Sequence, residues 1–138
     1  MVLIGYSGHA FVVYGIFKAA GKNVMGYCDV AEKTYNPFGL PYVGTENSET
    51  GLDAIKASGY FIAVGDNKLR KKIYEALQKN NLSSTNAIHP SAVIDSSANI
   101  ATQGVMIAAN ATINPLAFIA TGAICNTGCI VEHECAVG

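Results

Sequence analysis

The chain has 138 residues, 50% of them hydrophobic and 14% charged, with a formal net charge of −1 and four cysteines. That balance describes an ordinary soluble globular protein and offers no positive field to attract a phosphate backbone, so nucleic acid is not an expected partner. No apolar run is long enough to span a bilayer. The opening Met1 to Gly5 lacks the basic start and long apolar centre of a signal peptide, so the expected compartment is the cytoplasm, where the cysteines remain thiols.

Met1 to Ile4 is a short apolar run closed by Gly5-Tyr6-Ser7-Gly8-His9. From Ala10 the pattern turns helical, with Val13, Ile16, Phe17 and Ala20 on one stripe and Gly21 as a stop. Val24 to Cys28 reads as a second strand ending at Asp29, and Asn36 to Gly44, with Pro37, Gly39 and Pro41, reads as loop. A second helix is expected over Glu49 to Ala57 and a third strand over Tyr60 to Val64. The turn Gly65-Asp66-Asn67 then leads into a helix with Leu69, Ile73 and Leu77 on one face. Strand alternating with helix implies a small Rossmann-like parallel sheet of the α/β class, whose ligand crevice lies beyond the carboxyl ends of the strands.

From Ile88 onward the period changes to six. Ile88, Ile94, Ile100, Ile107, Ile113, Ile119, Cys125, Val131 and Val137 lead successive hexads, with Met106 as one extra residue. Small residues hold the fifth place: Ala92, Ala98, Gly104, Ala111, Ala117, Ala123, Cys129 and Cys135. A period of six fits neither an amphipathic helix nor simple alternation, and it predicts a parallel β-helix in which the aliphatic leader points inward and the crowded fifth place admits only small side chains. A β-meander in chance step would keep the large residues on count but not the small ones. The expected domains are therefore 1–86, a nucleotide-binding sheet, and 87–138, a hexapeptide-repeat β-helix.

Three turns should converge on the crevice: Gly5 to His9, Cys28-Asp29 and Gly65 to Asn67. Gly5 and Gly8 would let backbone N–H groups approach a diphosphate at the positive end of the first helix, with Ser7 adding a hydroxyl. A glycine turn after a strand is weak evidence alone, since a tight turn needs no ligand. Asp29 stands where nucleotide-binding sheets hold a ribose or base donor. Asn67 and Arg70 are adequately described as a capping amide and a surface cation, Lys68, Lys71 and Lys72 as a solvated face, and His89 before Pro90 as structural.

His133 sits in Val-Glu-His-Glu-Cys-Ala, between the leader Val131 and Cys135, at a place that turns outward on a prism corner. A neutral imidazole there can accept a proton from an attacking amine or hydroxyl, and Glu134 beside it can raise its basicity. The spacing Cys125, Cys129, His133, Cys135 also suggests zinc. The hexad register argues against it, because the sulfurs belong inside the prism and the imidazole outside.

The succession Gly-Tyr-Ser-Gly-His, Tyr-Cys-Asp, Ala-Val-Gly-Asp-Asn-Lys-Leu-Arg-Lys-Lys-Ile, Ile-His-Pro-Ser-Ala and Asn-Thr-Gly-Cys-Ile-Val-Glu-His-Glu-Cys resembles the bacterial sugar acetyltransferases that join a nucleotide-sugar domain to a left-handed β-helix. The UDP-4-amino-sugar N-acetyltransferases of PglD type are more similar than the sialic acid O-acetyltransferases of NeuD type. The resemblance implies direct transfer of acetyl from acetyl-CoA to the amine of a UDP-amino-sugar, with His133 as general base and Glu134 tuning it, no metal, and a homotrimer. It implies substrate contacts at Ser7, Gly8, His9, Cys28, Asp29, Gly65 and Asn126, and Asn67 is carried with them from the third turn. Cys28-Asp29 matches a place where close relatives carry two acidic residues. Coils that supply much of the CoA groove follow the base in the family, and here the hexads stop at Gly138, five residues after His133. A form ending there is expected to be weakly active or inactive, or to act as a nucleotide-sugar binding module.

Overall fold

The computed structural model describes residues 1–138, which divide into two compact units: Met1–Tyr14 with Asn23–Ser84, and Gly15–Lys22 with Thr85–Gly138. No helix is long and apolar enough to cross a membrane.

In the first unit β1 (Val2–Ile4), β2 (Gly26–Cys28) and β3 (Tyr60–Ile62) form a parallel sheet in the order β2-β1-β3. Ile4 pairs with Cys28 and with Ile62, so all three strands end level. Every residue of these strands is buried, as parallel strands covered on both faces must be. The strands are shorter than their apolar runs because Val24 and Ala63 lie outside the paired ladder. Two helices connect them, α1 (Gly8–Ala19), whose residues from Gly15 on are grouped with the second unit, and α2 (Glu49–Ser58), and α3 (Asn67–Gln78) follows β3. Gly21, with φ of 69°, ends α1 as Lys22 N–H returns to Phe17 O at 2.9 Å. On α3, Ile73 and Leu77 are buried, whereas Leu69 departs from the expected stripe and is 47% exposed.

The stretch read as plain loop has a core of its own. Tyr27 N–H donates to Pro41 O and Val43 N–H to Tyr27 O, which extends the sheet edge. Tyr6 stacks on Tyr27 with ring centroids 4.1 Å apart, Tyr14 on Phe38 at 4.1 Å, and Phe11 meets Tyr6, Tyr35 and Phe38 edge-on. Aromatic pairs contribute about 0.5–1.5 kcal/mol each beyond their burial. They hold the segment after β2 against the start of α1 without regular structure.

The second unit is a parallel β-helix. Nine two-residue strands run from β4 (Ala87–Ile88), β5 (Val93–Ile94) and β6 (Asn99–Ile100) through β7 (Met106–Ile107), β8 (Thr112–Ile113) and β9 (Phe118–Ile119) to β10 (Ile124–Cys125), β11 (Ile130–Val131) and β12 (Ala136–Val137). They stack as three faces, β10-β7-β4, β11-β8-β5 and β12-β9-β6. Ile107, Ile113 and Ile119 are fully buried and stack on the leaders of neighbouring coils.

The extra residue is not where the spacing put it. Met106 is an ordinary strand residue, paired with Ala87 and Ile124. Val105, fully buried, takes the interior place expected of Gly104, and its carbonyl accepts from Ala87 N–H as Ala111 O does from Val93 N–H. Gly104, with φ of 68°, belongs to the corner that absorbs the insertion. The Asn86 amide closes that corner by donating to Ala101 O at 2.7 Å and accepting from Val105 N–H at 3.0 Å. Later corners each place one residue at positive φ: Asn110, Leu116, Gly122, Gly128 and Glu134.

Candidate substrate cleft and catalytic corner

Where β1, β2 and β3 end, the first unit has an open cleft of about 370 Å³ whose lining includes Tyr6, Ser7, Asp29, Lys33, Glu46 and Gly65. The glycines of the first turn have different physical reasons. Gly5 has φ of 90°, and a Cβ on it would come within 2.7 Å of the Val64 side chain. Its N–H donates to Cys28 O at 2.8 Å, so the fold itself requires Gly5 and uses its donor. At Gly8 φ is ordinary, and a Cβ would meet no atom within 4 Å. Nothing in the chain demands glycine there.

Gly8 opens α1, and the N–H groups of Ser7, Gly8 and His9 find no acceptor within the chain. The other two helices are capped: Ser48 Oγ accepts from Gly51 N–H at 3.1 Å, and Asp66 Oδ1 accepts from Leu69 N–H at 2.7 Å. The start of α1 thus presents a positive dipole end and free donors beside the cleft.

Asp29 is wired into the fold. Its Oδ2 accepts from Tyr6 N–H at 2.9 Å, and its Oδ1 accepts from Val30 N–H at 2.8 Å and pairs with Lys33 Nζ at 2.9 Å. A carboxylate has about four acceptor positions, so one remains for a ligand hydroxyl. Cys28 is a correction to the sequence reading. It is fully buried in the core with Val2, Ile4 and Ile55, and burial, aided by the Glu46 charge, pushes its thiol up to about 11. Side chains alternate along a strand, so Cys28 faces the core while Asp29 lines the cleft, and Val30, past the end of β2, lines it as well.

His9 also sits elsewhere than expected. Its partly buried ring packs behind Gly65 rather than lining the cleft. Its buried Nε2 has no hydrogen-bond partner. Burial, and secondarily the Arg70 charge, lowers its pKa and favours the neutral ring. Arg70 is the residue that sequence reasoning missed. It is 9% exposed, donates from Nη1 to Val64 O at 2.9 Å and to Gly65 O at 3.1 Å, and from Nη2 to Asn67 Oδ1 at 2.7 Å. Asn67 therefore braces the guanidinium instead of lining the cleft, and Gly65 lines it with its carbonyl held from behind. The available signal was spacing: Arg70, Ile73 and Leu77 fall on one helical stripe.

In the second unit His133 occupies the corner between β11 and β12, with its side chain 73% exposed. Its Nδ1 lies 3.4 Å from Glu134 Oε2. Glu134 holds the positive-φ corner position at 59°, uncommon for a non-glycine residue and costing of order 1–3 kcal/mol, and its N–H donates to Pro115 O at 3.1 Å. Glu132 Oε2 accepts from Asn114 Nδ2 at 3.2 Å, which leaves Glu134 as the carboxylate nearest the ring. Asn126 is exposed at the preceding corner, its carbonyl taking Cys129 N–H at 3.0 Å. Of the cysteines, Cys125 is buried, Cys129 half-buried and Cys135 exposed. No group of three or more His, Cys, Asp or Glu is arranged to hold a metal.

Residues 1–77 match the family model described as the PglD N-terminal domain. Among solved structures, PerB from Caulobacter crescentus in complex with CoA and GDP-perosamine is 37% identical, with a TM-score of 0.84, covering 98% of this chain and 63% of that one. A point mutant of GDP-perosamine N-acetyl transferase from the same organism matches at 37% identity and a TM-score of 0.85 over the same shares. The acetyltransferase domain of PglB from Neisseria gonorrhoeae FA1090 in complex with acetyl coenzyme A is 28% identical, with a TM-score of 0.84, over 98% of this chain and 65% of that one. The chain thus spans about two thirds of the length of these proteins.

Proposed function

Matched over residues 1–77, the chain belongs to the PglD N-terminal domain family, and on that premise we propose that it is an acetyltransferase that moves acetyl from acetyl-CoA to the amine of a nucleotide-linked amino sugar. The observation that carries this reading is the exposed His133 on a β-helix corner, with a carboxylate 3.4 Å from its Nδ1. His133 takes the proton as the amine nitrogen attacks the thioester carbonyl. Glu134 stabilises the resulting imidazolium, the C–S bond breaks, and the departing CoA thiolate takes the proton from the imidazolium to leave as the thiol. No acyl-enzyme is needed. In this reading residues 1–86 form the nucleotide-sugar domain and 87–138 the acyltransfer domain.

The cleft supplies the binding half. Free N–H groups at the start of α1, with the Ser7 hydroxyl and the open approach at Gly8, fit a diphosphate. The remaining acceptor position on Asp29 fits a ribose hydroxyl. His9 and Arg70 support the site from behind Gly65, and Asn126 keeps its role as a sugar contact. GDP-perosamine bound to PerB and acetyl coenzyme A bound to PglB support the substrate classes.

A homotrimer is part of the same reading. Val93 and Ile130 project from one outer face of the β-helix, and Leu116 and Phe118 lie at the next corner and strand; these four are 44–65% exposed. Apolar residues so placed on a solenoid fit burial against other copies of the chain.

His133→Ala tests the chemistry. Steady-state turnover with acetyl-CoA and a nucleotide-linked amino sugar should fall about 10²–10⁴-fold, because a general base acts in the transition state. Unchanged turnover in the variant would remove His133 as the base, and no turnover in the wild type despite tight nucleotide binding would leave a binding module instead.

A further inference from the structure

The cleft-lining charges are Asp29, Lys33, Glu46 and Asp66, three acids against one base. An anionic diphosphate gains nothing from such a balance, so the acids must serve another part of the ligand or the fold. Two serve the fold. Asp29 is held by Tyr6 N–H, Val30 N–H and Lys33, and Asp66 caps α3. The carboxylate of half-buried Glu46 makes only a long, exposed contact of 3.5 Å with the Asn47 amide. Of the acids in the cleft it is the one least engaged by the protein, with nearly all of its acceptor capacity open.

Its place along the cleft is informative. Gly44 O accepts from Asp29 N–H at 3.2 Å, which carries Glu46 past the end of β2, and the Glu46 charge is felt at Cys28. The start of α1 lies at the end of β1, in the middle of the sheet, and β2, which Asp29 and Glu46 follow, is an edge strand. With a diphosphate at α1 and the ribose at Asp29, the next group outward is the nucleobase.

From this we infer that Glu46 is the base-reading residue and selects guanine, an inference that rests on the nucleotide-sugar reading of the cleft. Guanine presents two adjacent donors, N1–H and the exocyclic amine, which a carboxylate accepts side by side. Uracil presents one N–H between two carbonyl oxygens, and a carboxylate facing that edge meets two acceptors for each donor. Selectivity therefore comes as much from repelling uracil as from attracting guanine. The likeness to UDP-sugar enzymes set uridine as the expectation. The open acceptors of Glu46 favour a GDP-sugar.

Calorimetric titration of the full chain with GDP, inosine 5′-diphosphate and UDP tests this, in wild type and in Glu46→Gln. Inosine diphosphate keeps N1–H and lacks the exocyclic amine. Wild type should bind GDP about tenfold or more tightly than either of the others, the scale of one well-made bidentate pair. Glu46→Gln, nearly isosteric at a half-exposed position, should lower GDP affinity about tenfold and collapse the preference. Equal or tighter UDP binding by wild type would overturn the inference, as would a variant that weakens all three ligands equally, since that would put Glu46 on the ribose. Failure of every nucleoside diphosphate to bind would sink the nucleotide-sugar reading itself, and this inference with it.

Discussion

The turn after β1 and the corner after β11 both looked like functional motifs, yet they use their residues in opposite ways. In the first, most conspicuous groups hold the fold together: Gly5 closes against Val64, the Asp29 carboxylate ties two backbone N–H groups and Lys33, and Asn67 braces Arg70. In the second the backbone ladder and the stacked leaders stabilise the coil, so the His133 and Glu134 side chains are 73% and 71% exposed and engage only each other. A repeat that stabilises itself leaves its corners free for chemistry. A small mixed fold must share its polar residues between structure and ligand.

That contrast can be broken at several points. The strongest effect should come from the leaders. Ile119→Ala removes a fully buried side chain stacked between coils and should cost about 2–5 kcal/mol in denaturant unfolding. A loss well under 1 kcal/mol would mean that the stacked interior does not hold the β-helix together.

Next come the two glycines. Gly5→Ala should destabilise the chain by about 2 kcal/mol, because it adds strain at φ of 90° to a close approach. Gly8→Ala should leave stability within about 0.5 kcal/mol while weakening nucleotide binding. Equal stability losses in thermal melts would remove the distinction between a glycine the fold needs and one kept open for a ligand.

A smaller effect is expected at His9, whose folded-state pKa is depressed. Below its ordinary value of 6.5 the unfolded chain takes up a proton that the folded ring refuses, so stability falls with pH until the folded pKa is passed. Above 6.5 the contribution is flat. His9→Asn should flatten the acid limb of a melting-temperature profile, and an unchanged limb would assign that limb to other groups. The least effect concerns the thiols. Cys135 should alkylate readily in the native protein, while Cys28 and Cys125, both pushed up to about 11 mainly by burial, should react only on unfolding. Mass spectrometry of labelled peptides reads this directly.

The legibility of the sequence follows the same division. The hexad leaders placed the second unit's interior and put His133 on a corner, because a strict period fixes which way each side chain faces. The count failed at Cys135, a fifth-place residue expected inside but exposed, and where Ile107 follows Ile100 by seven positions, since spacing alone cannot say whether Gly104 or Met106 is the extra residue. A corner hydrogen bond from Asn86 decides it. In the first unit the alternation of strand and helix was readable, but the use of each polar group was not. Arg70 was hidden among Lys68, Lys71 and Lys72, and Glu46 carried no motif. The aromatic cluster from Tyr6 to Tyr42 is scattered along the chain and exists only in three dimensions.

One paired measurement tests the division of labour most directly: turnover and nucleotide affinity determined together for His133→Ala and Gly8→Ala. A separable loss is expected, with the rate falling about 10²–10⁴-fold at unchanged affinity in the first variant. The second should lose about tenfold in affinity, or more. If His133→Ala weakened nucleotide binding as much as it slowed turnover, the corner would not be a catalytic element and the account would be contradicted.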